Sequence, residues 1–181
     1  MSKPSTRDTI LDAATDVVAL DGAKQLTIDA VAAKSGVSKG GVLYHFPNKV
    51  ALLQGMVDRV IAEVIDDVQK ARLTATEAGE PVLPRVIDAL FERIDTNDSV
   101  SGGLLAASVE HRDLLGPARE AISGLFQQLA NEAPDPIQAQ IILLALDGLK
   151  MTSLLGISHV DPNQITAIRQ RMIAMAREPY A

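Results

Sequence analysis

Apolar residues recur every three or four positions along most of this chain, and alternation with a period of two is rare. That pattern predicts helices and no strands. Ile10, Ala14, Val17 and Val18 share one face of a first helix over about 5–20, with Arg7, Asp8, Asp12 and Asp16 elsewhere. Asp21-Gly22 stops it, with Gly22 as a left-handed cap. Thr27 is a candidate N-cap for a short second helix through Val31, Ala32 and Lys34, which Gly36 interrupts. Ser38 caps a third helix that reaches Phe46, where Pro47 favours extended backbone. Asn48 caps a long fourth helix over about 49–72, carrying Leu52, Leu53, Met56, Val60, Val64 and Val68. The polar stretch 74–81 reads as a loop. A fifth helix fits 82–95 and a second loop 96–103. Further helices fit 104–112, 115–131 and 137–155, the last ended by Gly156. Asp161-Pro162 starts a ninth that runs to about 177. The expected fold is all-α with nine helices. A three-helix head over 1–50 joins a larger helical domain over 51–181, with the boundary inside the fourth helix and no flexible linker.

Composition agrees with this reading. Of the 181 residues, 47% are hydrophobic and only 3% aromatic, so a core of Ala, Leu, Ile and Val in long helices is the natural use of the chain. The absence of cysteine excludes disulfides and thiolate metal sites and fits a cytoplasmic location. The N-terminal residues lead into an amphipathic segment, so no signal peptide is expected. The longest purely apolar run, Ile141 to Leu146, is too short to span a bilayer, and no membrane partner is expected.

Charge alters the picture by its distribution. The net charge is -6, which by itself argues against nucleic acid. Residues 1–60, however, balance at +1 and residues 61–181 at -7. No acidic residue lies between Asp29 and Asp58, while Lys34, Lys39 and Lys49 do. One basic window on an acidic chain still attracts phosphates.

The window Ile28-Asp-Ala-Val-Ala-Ala-Lys-Ser-Gly-Val-Ser-Lys-Gly-Gly-Val-Leu-Tyr-His-Phe46 has the spacing of a helix-turn-helix. Ala32 is small where two helices cross. Gly36, four residues on, supplies the positive φ of the turn. Val31, Val37 and Val42 are apolar where the unit buries its small core. Thr27 and Ser38 sit at helix N-termini, where hydroxyls and backbone N–H groups suit phosphate oxygens. Lys39 lies early in the third helix, within reach of a phosphate or a guanine edge. Gly40 and Gly41 are poor helix formers, and they would let the backbone approach the groove closely. The alternative is weak local packing at a helix start. Tyr44 and His45 are candidates for phosphate or base contacts, unless His45 packs against the fourth helix.

Residues 7–56, and above all Gly36-Val-Ser-Lys-Gly-Gly-Val-Leu-Tyr-His-Phe-Pro-Asn-Lys49 followed by Ala51-Leu-Leu53, resemble the N-terminal domain of the TetR family of one-component regulators. The remaining residues match that family in helix number, order and length. The resemblance implies that Lys49 contacts a phosphate. It also implies a homodimer on a palindromic DNA operator, released when a small, largely hydrophobic effector binds the larger domain. Many members carry a phosphate-contacting tyrosine three residues before the phenylalanine matched by Phe46. Here that place holds Leu43, and the aromatic is Tyr44.

The dimer surface is expected on the last two long helices. Residues 141–146 are apolar on nearly all sides, which suits one face in the core and another against a partner. Leu144, Gly148, Met151 and Leu155 are the candidates there, with Gly148 allowing close approach. Ile165, Ile168 and Met172 form a second stripe. By resemblance these helices make a four-helix bundle with their copies; the alternative is that both stripes are monomer core. Also by resemblance, a ligand pocket lies among helices four to eight. Its candidate lining is Met56, Val60, Phe91, Leu105, His111, Phe126 and Met151. No cofactor is implied. An enzyme is disfavoured: His45, His111 and His159 lie far apart, and no nucleophile or phosphate-loop motif is present. A helical adaptor that binds protein through its head, or an activator instead of a repressor, are the competing readings.

Overall fold

Side-chain caps set where the early helices begin. In the computed structural model, which describes residues 5–95 and 99–177, Ser5 and Asp8 form a reciprocal capping box at the start of α1, Thr6–Asp21. The Thr27 hydroxyl accepts from the Ala30 N–H at 3.1 Å and opens α2, Ile28–Ser35. The Ser38 hydroxyl accepts from the Gly41 N–H at 3.1 Å and opens α3, Lys39–His45. The Asn48 side chain accepts from the Ala51 N–H at 2.9 Å at the start of α4, Lys49–Ala78. Between α2 and α3, Gly36 adopts the left-handed conformation, φ 70° and ψ 6°, which a residue with a Cβ reaches only with strain. Gly22 also has positive φ, 82°, but its ψ of 160° is extended, so it ends α1 without being the left-handed cap expected.

The later helices are α5 Val82–Asp95, α6 Ser99–Glu110, α7 Gly116–Asn131, α8 Pro136–Leu154 and α9 Ile165–Met175, with short 3-10 turns at Ala23–Gln25 and Pro162–Gln164. All the regular structure among the described residues is helical, and there are nine α-helices.

Three expected boundaries are corrected. The loop expected over 74–81 is mostly helix, since α4 continues to Ala78. Ala75 there is fully buried, and the Thr76 hydroxyl donates back to the Arg72 carbonyl at 2.9 Å, so neither residue breaks the helix. The true end is Gly79, at φ 65°. Its N–H donates to the Thr76 carbonyl and the Glu80 N–H to the Ala75 carbonyl, the paired bonds of a Schellman cap. The loop expected over 96–103 is helical from Ser99; Thr96, Asn97 and Asp98 lie outside the described residues. Gly103 explains why α6 tolerates its glycines: a Cβ there would stand 2.6 Å from Val18 Cγ1 of α1. Tertiary packing overrides helix propensity at that point. The ninth helix, expected from Asp161, begins as the 3-10 turn and becomes α-helical at Ile165.

The chain forms two compact units, Met1–Val60 with Asp98–Arg119, and Ile61–Asn97 with Glu120–Ala181. The division falls inside α4. In the first unit, α1 packs on α2 and α6, and α2 on α3. Ile10, Leu11, Val31, Val42, Phe46, Leu52 and Leu53 are buried. Arg59 of α4 ties α4 to α1: it donates to Asp12 at 2.6 Å, to the Leu11 carbonyl at 3.0 Å and to the Thr15 hydroxyl.

In the second unit, α5 packs on α8 and α9. The core joins Val86, Ile87, Leu90 and Phe91 to Leu125, Leu129, Ile142, Leu143, Leu146 and Met172. By length and composition alone α8 is apolar enough to cross a membrane, a property the six-residue run 141–146 did not suggest. Its residues Ala139, Ile142, Leu143, Leu146 and Leu149 are buried in this core.

Candidate nucleic-acid interface and the other predicted sites

The turn at Gly36 and the caps at Thr27 and Ser38 present α3 with its N-terminal end and one flank open to solvent. Lys39 and Gly40 are exposed, and Tyr44 is 84% exposed. The Tyr44 and His45 rings meet edge to face, with centroids 5.2 Å apart. His45 is half-buried. On the inner side Val42 and Phe46 are buried. The helix therefore has an anchored apolar side and a free side carrying Lys39, Gly40 and Tyr44. A helix held this way is the geometry that a major groove admits.

The two glycines differ. A Cβ on Gly40 would meet nothing within 4 Å, so that position is open toward the outside. A Cβ on Gly41 would stand 2.8 Å from Val37 Cγ1 and 3.3 Å from Ser38 Oγ. Gly41 is thus required by packing within the turn itself.

The three lysines of the acid-free window are all engaged. Lys34 pairs with Asp16 at 3.3 Å. Lys39 Nζ lies 2.9 Å and 3.0 Å from the two carboxylate oxygens of Asp29. Lys49 Nζ donates to the Ala23 carbonyl at 3.1 Å and more weakly to that of Lys24 at 3.4 Å. It braces the turn after α1, and its partners there are uncharged carbonyls. Sequence reading missed Asp29, because nothing in the local pattern announces a pairing ten residues long.

The other candidates separate. Along α8, Ile137, Ile141, Leu144, Gly148, Met151 and Leu155 are all exposed, with Leu144 at 69%. They step by four and three residues, so they form one stripe on the side opposite the buried residues. Gly148 has open space around it. On α9, Ile165 and Ile168 are half-buried and Met172 is only 8% exposed, all packed against the core of the second unit. Ile168 and Met172 nevertheless line an apolar groove of about 440 Å³ with Ile141, Gly148 and Leu149.

Of the residues expected to line a ligand pocket, Met56, Val60, Leu105 and His111 belong to the first unit and Phe91, Phe126 and Met151 to the second. Met56 and Phe91 are buried, and Phe126 packs partly buried against the cluster that contains Phe91. Val60, Leu105 and His111 are half-buried, and Met151 is exposed on the α8 stripe. Among the described residues no group of three His, Asp or Glu stands close enough to hold a metal ion.

Comparison with known proteins places these elements. Residues 10–56 match the family described as bacterial regulatory proteins, tetR family. Residues 80–177, more than half of the chain, match the tetracyclin repressor-like C-terminal domain. Over 52 residues, 29% of the chain, it is 40% identical to the HTH-type transcriptional regulator SrpR of Pseudomonas putida, of which that match spans 24%. It is 25% identical over 183 residues to the HTH-type transcriptional regulator BetI of Stenotrophomonas maltophilia, covering 95% of this chain and 90% of that one. Among solved structures, a TetR transcription regulator from Haloarcula marismortui superposes with a TM-score of 0.74 at 19% identity, over 94% of this chain and 96% of that one. The multidrug binding protein EbrR complexed with ethidium superposes with a TM-score of 0.70 at 23% identity, over 95% and 99%. Likeness at that identity concerns the fold. The sequence matches carry the assignment further: the chain belongs to the TetR family of helix-turn-helix transcriptional regulators.

Proposed function

We propose that this regulator is a homodimeric repressor that holds a palindromic operator and leaves it when a small, largely hydrophobic ligand binds the larger domain. The observation that carries this reading is the α8 stripe: six exposed apolar or glycine positions on one helix face. Leaving such a face in water is unfavourable, and a second copy covers it by symmetry. Two heads then reach half-sites one helical turn apart, about 34–36 Å. In each head the free side of α3 reads bases through Lys39, Tyr44 and His45, and Thr27, Ser38 and Lys49 meet phosphates. Gly40 lets the backbone come close.

Residues 1–50 are the reading head and 51–181 the sensing and dimerising domain. One element of the second segment, α6, is packed on the head through Gly103 and Val18, so it is a second route to the head beside α4. A ligand acts only through its differential affinity for the DNA-fitting and misfitting states. The multidrug binding protein EbrR is complexed with ethidium in one structure and malachite green in another, which makes flat aromatic cations reasonable first probes.

The test is a footprint of the full chain on the DNA flanking its own gene, repeated with increasing malachite green, because ethidium itself intercalates into the duplex. A protected palindrome that fades as the dye shifts the melting temperature is expected. Protection of no palindrome would remove the repressor reading. Protection unaffected by any ligand that shifts the melting temperature would remove the release mechanism.

A further inference from the structure

The ion pair between Lys39 and Asp29 lies on the reading surface, and its consequence for sequence discrimination follows from charge. Lys39 is the first residue of α3, and Asp29 stands in the first turn of α2. Their side chains are 60% and 71% exposed. An ammonium has three N–H donors. Both Asp29 oxygens lie within bonding distance of Lys39 Nζ, which leaves a donor for a third partner.

We propose that Asp29 is a positioning residue for DNA reading, holding Lys39 away from phosphates and directing it to base edges. This rests on the DNA-reading assignment above. A lone lysine beside duplex DNA takes a phosphate and releases about one counterion. Paired to Asp29, Lys39 belongs to a group with no net charge. Moving it to a phosphate strands the Asp29 carboxylate beside a polyanion. Donating the spare N–H to guanine O6 or N7, which are neutral acceptors, keeps the pair and strands nothing. The pair therefore penalises the phosphate-dominated, nonspecific mode more than the base-reading mode. Specificity is a difference of affinities, and it is gained by weakening the wrong complex as well as by strengthening the right one. Lys49 differs because its partners are uncharged carbonyls; it is a phosphate lysine without such a restraint.

The test measures binding of the full chain to two duplexes across a salt series. One duplex has mixed sequence, and the other is enriched from a random pool by the unmodified protein. Asp29→Asn is expected to bind the mixed duplex roughly 2- to 5-fold tighter near physiological salt, the worth of an exposed ion pair. Its salt slope on that duplex steepens by about one. The enriched duplex gains less, so the specificity ratio falls, and Asp29→Glu, which keeps the charge, restores the ratio. In a Lys39→Ala background the effect of Asp29→Asn disappears.

Equal gains on both duplexes that persist without Lys39 would mean that Asp29 merely repels DNA at a distance, overturning the proposal. No change on either duplex would overturn it as well. Lys39→Ala alone gives an independent check. It should weaken the enriched duplex more than the mixed one and leave the salt slope nearly unchanged; a loss of about one full unit of slope would show Lys39 already on a phosphate. If the unmodified protein binds neither duplex, the DNA-reading assignment itself fails.

Discussion

Adjacent residues Gly40 and Gly41 separate a folding requirement from a binding one. Gly40 has open space where a Cβ would go, whereas a Cβ at Gly41 would push into Val37. Gly40→Ala should therefore leave the protein as stable as before, or about 0.5–1 kcal/mol more stable through helix propensity, while weakening operator binding. Gly41→Ala should cost about 1–3 kcal/mol through overpacking of the turn. Chemical denaturation together with DNA titration of both variants separates the two effects, and equal losses of stability would contradict the distinction. The caps Thr27, Ser38 and Asn48 were legible from sequence because a cap is a local bond over three residues. The pairings of Lys34 and Lys39 were not, because their acids come from other helices.

A second residue-scale expectation concerns pH. Burial pushes the Asp147 carboxyl above its ordinary value of 3.8, so folding favours its neutral form. The stability associated with that form is complete below the ordinary aspartate range and is lost as pH rises through the elevated folded value. At neutral pH this partial desolvation opposes folding, but Asp147 remains exposed and water screens the effect, so Asp147→Asn should raise the melting temperature there only slightly. The difference should shrink as pH falls toward the ordinary value. Asp8 has the opposite sign. Its hydrogen bond with the Ser5 side chain holds its carboxyl below the usual value, so the contribution of the capping box is present above that range and fades as pH drops. Melting curves of Asp147→Asn and Asp8→Asn should lie on opposite sides of the parent at neutral pH, above and below it respectively, and both should approach it as pH falls.

At the scale of elements, periodicity and punctuation located all nine helices, and the errors fell where long-range contacts decide. Thr74 to Gly79 looks like a loop by composition, yet buried Ala75 and the back-bonded Thr76 carry α4 through it. Gly102 and Gly103 look like helix breakers, yet α6 runs through both because Val18 of α1 fills the place of a side chain at Gly103. Neither fact is written in a window of ten residues. The α6 contact gives a prediction with an unusual sign. In an exposed helix Gly→Ala stabilises by about 0.5–1 kcal/mol. Here Gly103→Ala places a methyl 2.6 Å from a β-branched side chain that has one preferred rotamer in a helix, so a net loss of about 1–2 kcal/mol is expected. Val18→Ala should relieve the clash. A double-mutant cycle should then show favourable coupling of about 0.5 kcal/mol or more, whereas simple additivity would mean that α6 does not lean on α1 at this point.

For the whole molecule, the proposed dimer on DNA would balance two forces with opposite salt dependence. Each chain carries a net charge of -6, so two copies repel, and added salt screens that repulsion. DNA binding instead weakens with salt. A dimer built on the α8 stripe should tighten or hold steady as salt rises while its grip on DNA loosens. Leu144→Glu tests the stripe directly. Leu144 is 69% exposed, so the substitution removes little from the monomer, whose stability should change by less than about 0.5 kcal/mol. In a symmetric interface, however, it buries two like charges near each other, a cost of several kcal/mol. Sedimentation should show a folded monomer with an unchanged helical spectrum. Affinity for a palindromic duplex should fall toward that for a single half-site, because the second head is no longer tethered to the first. If Leu144→Glu remains a dimer at micromolar concentration, the stripe is not the interface. If it becomes a monomer and still binds the palindrome as tightly as before, the operator is read one head at a time, and dimerisation serves the sensing domain alone.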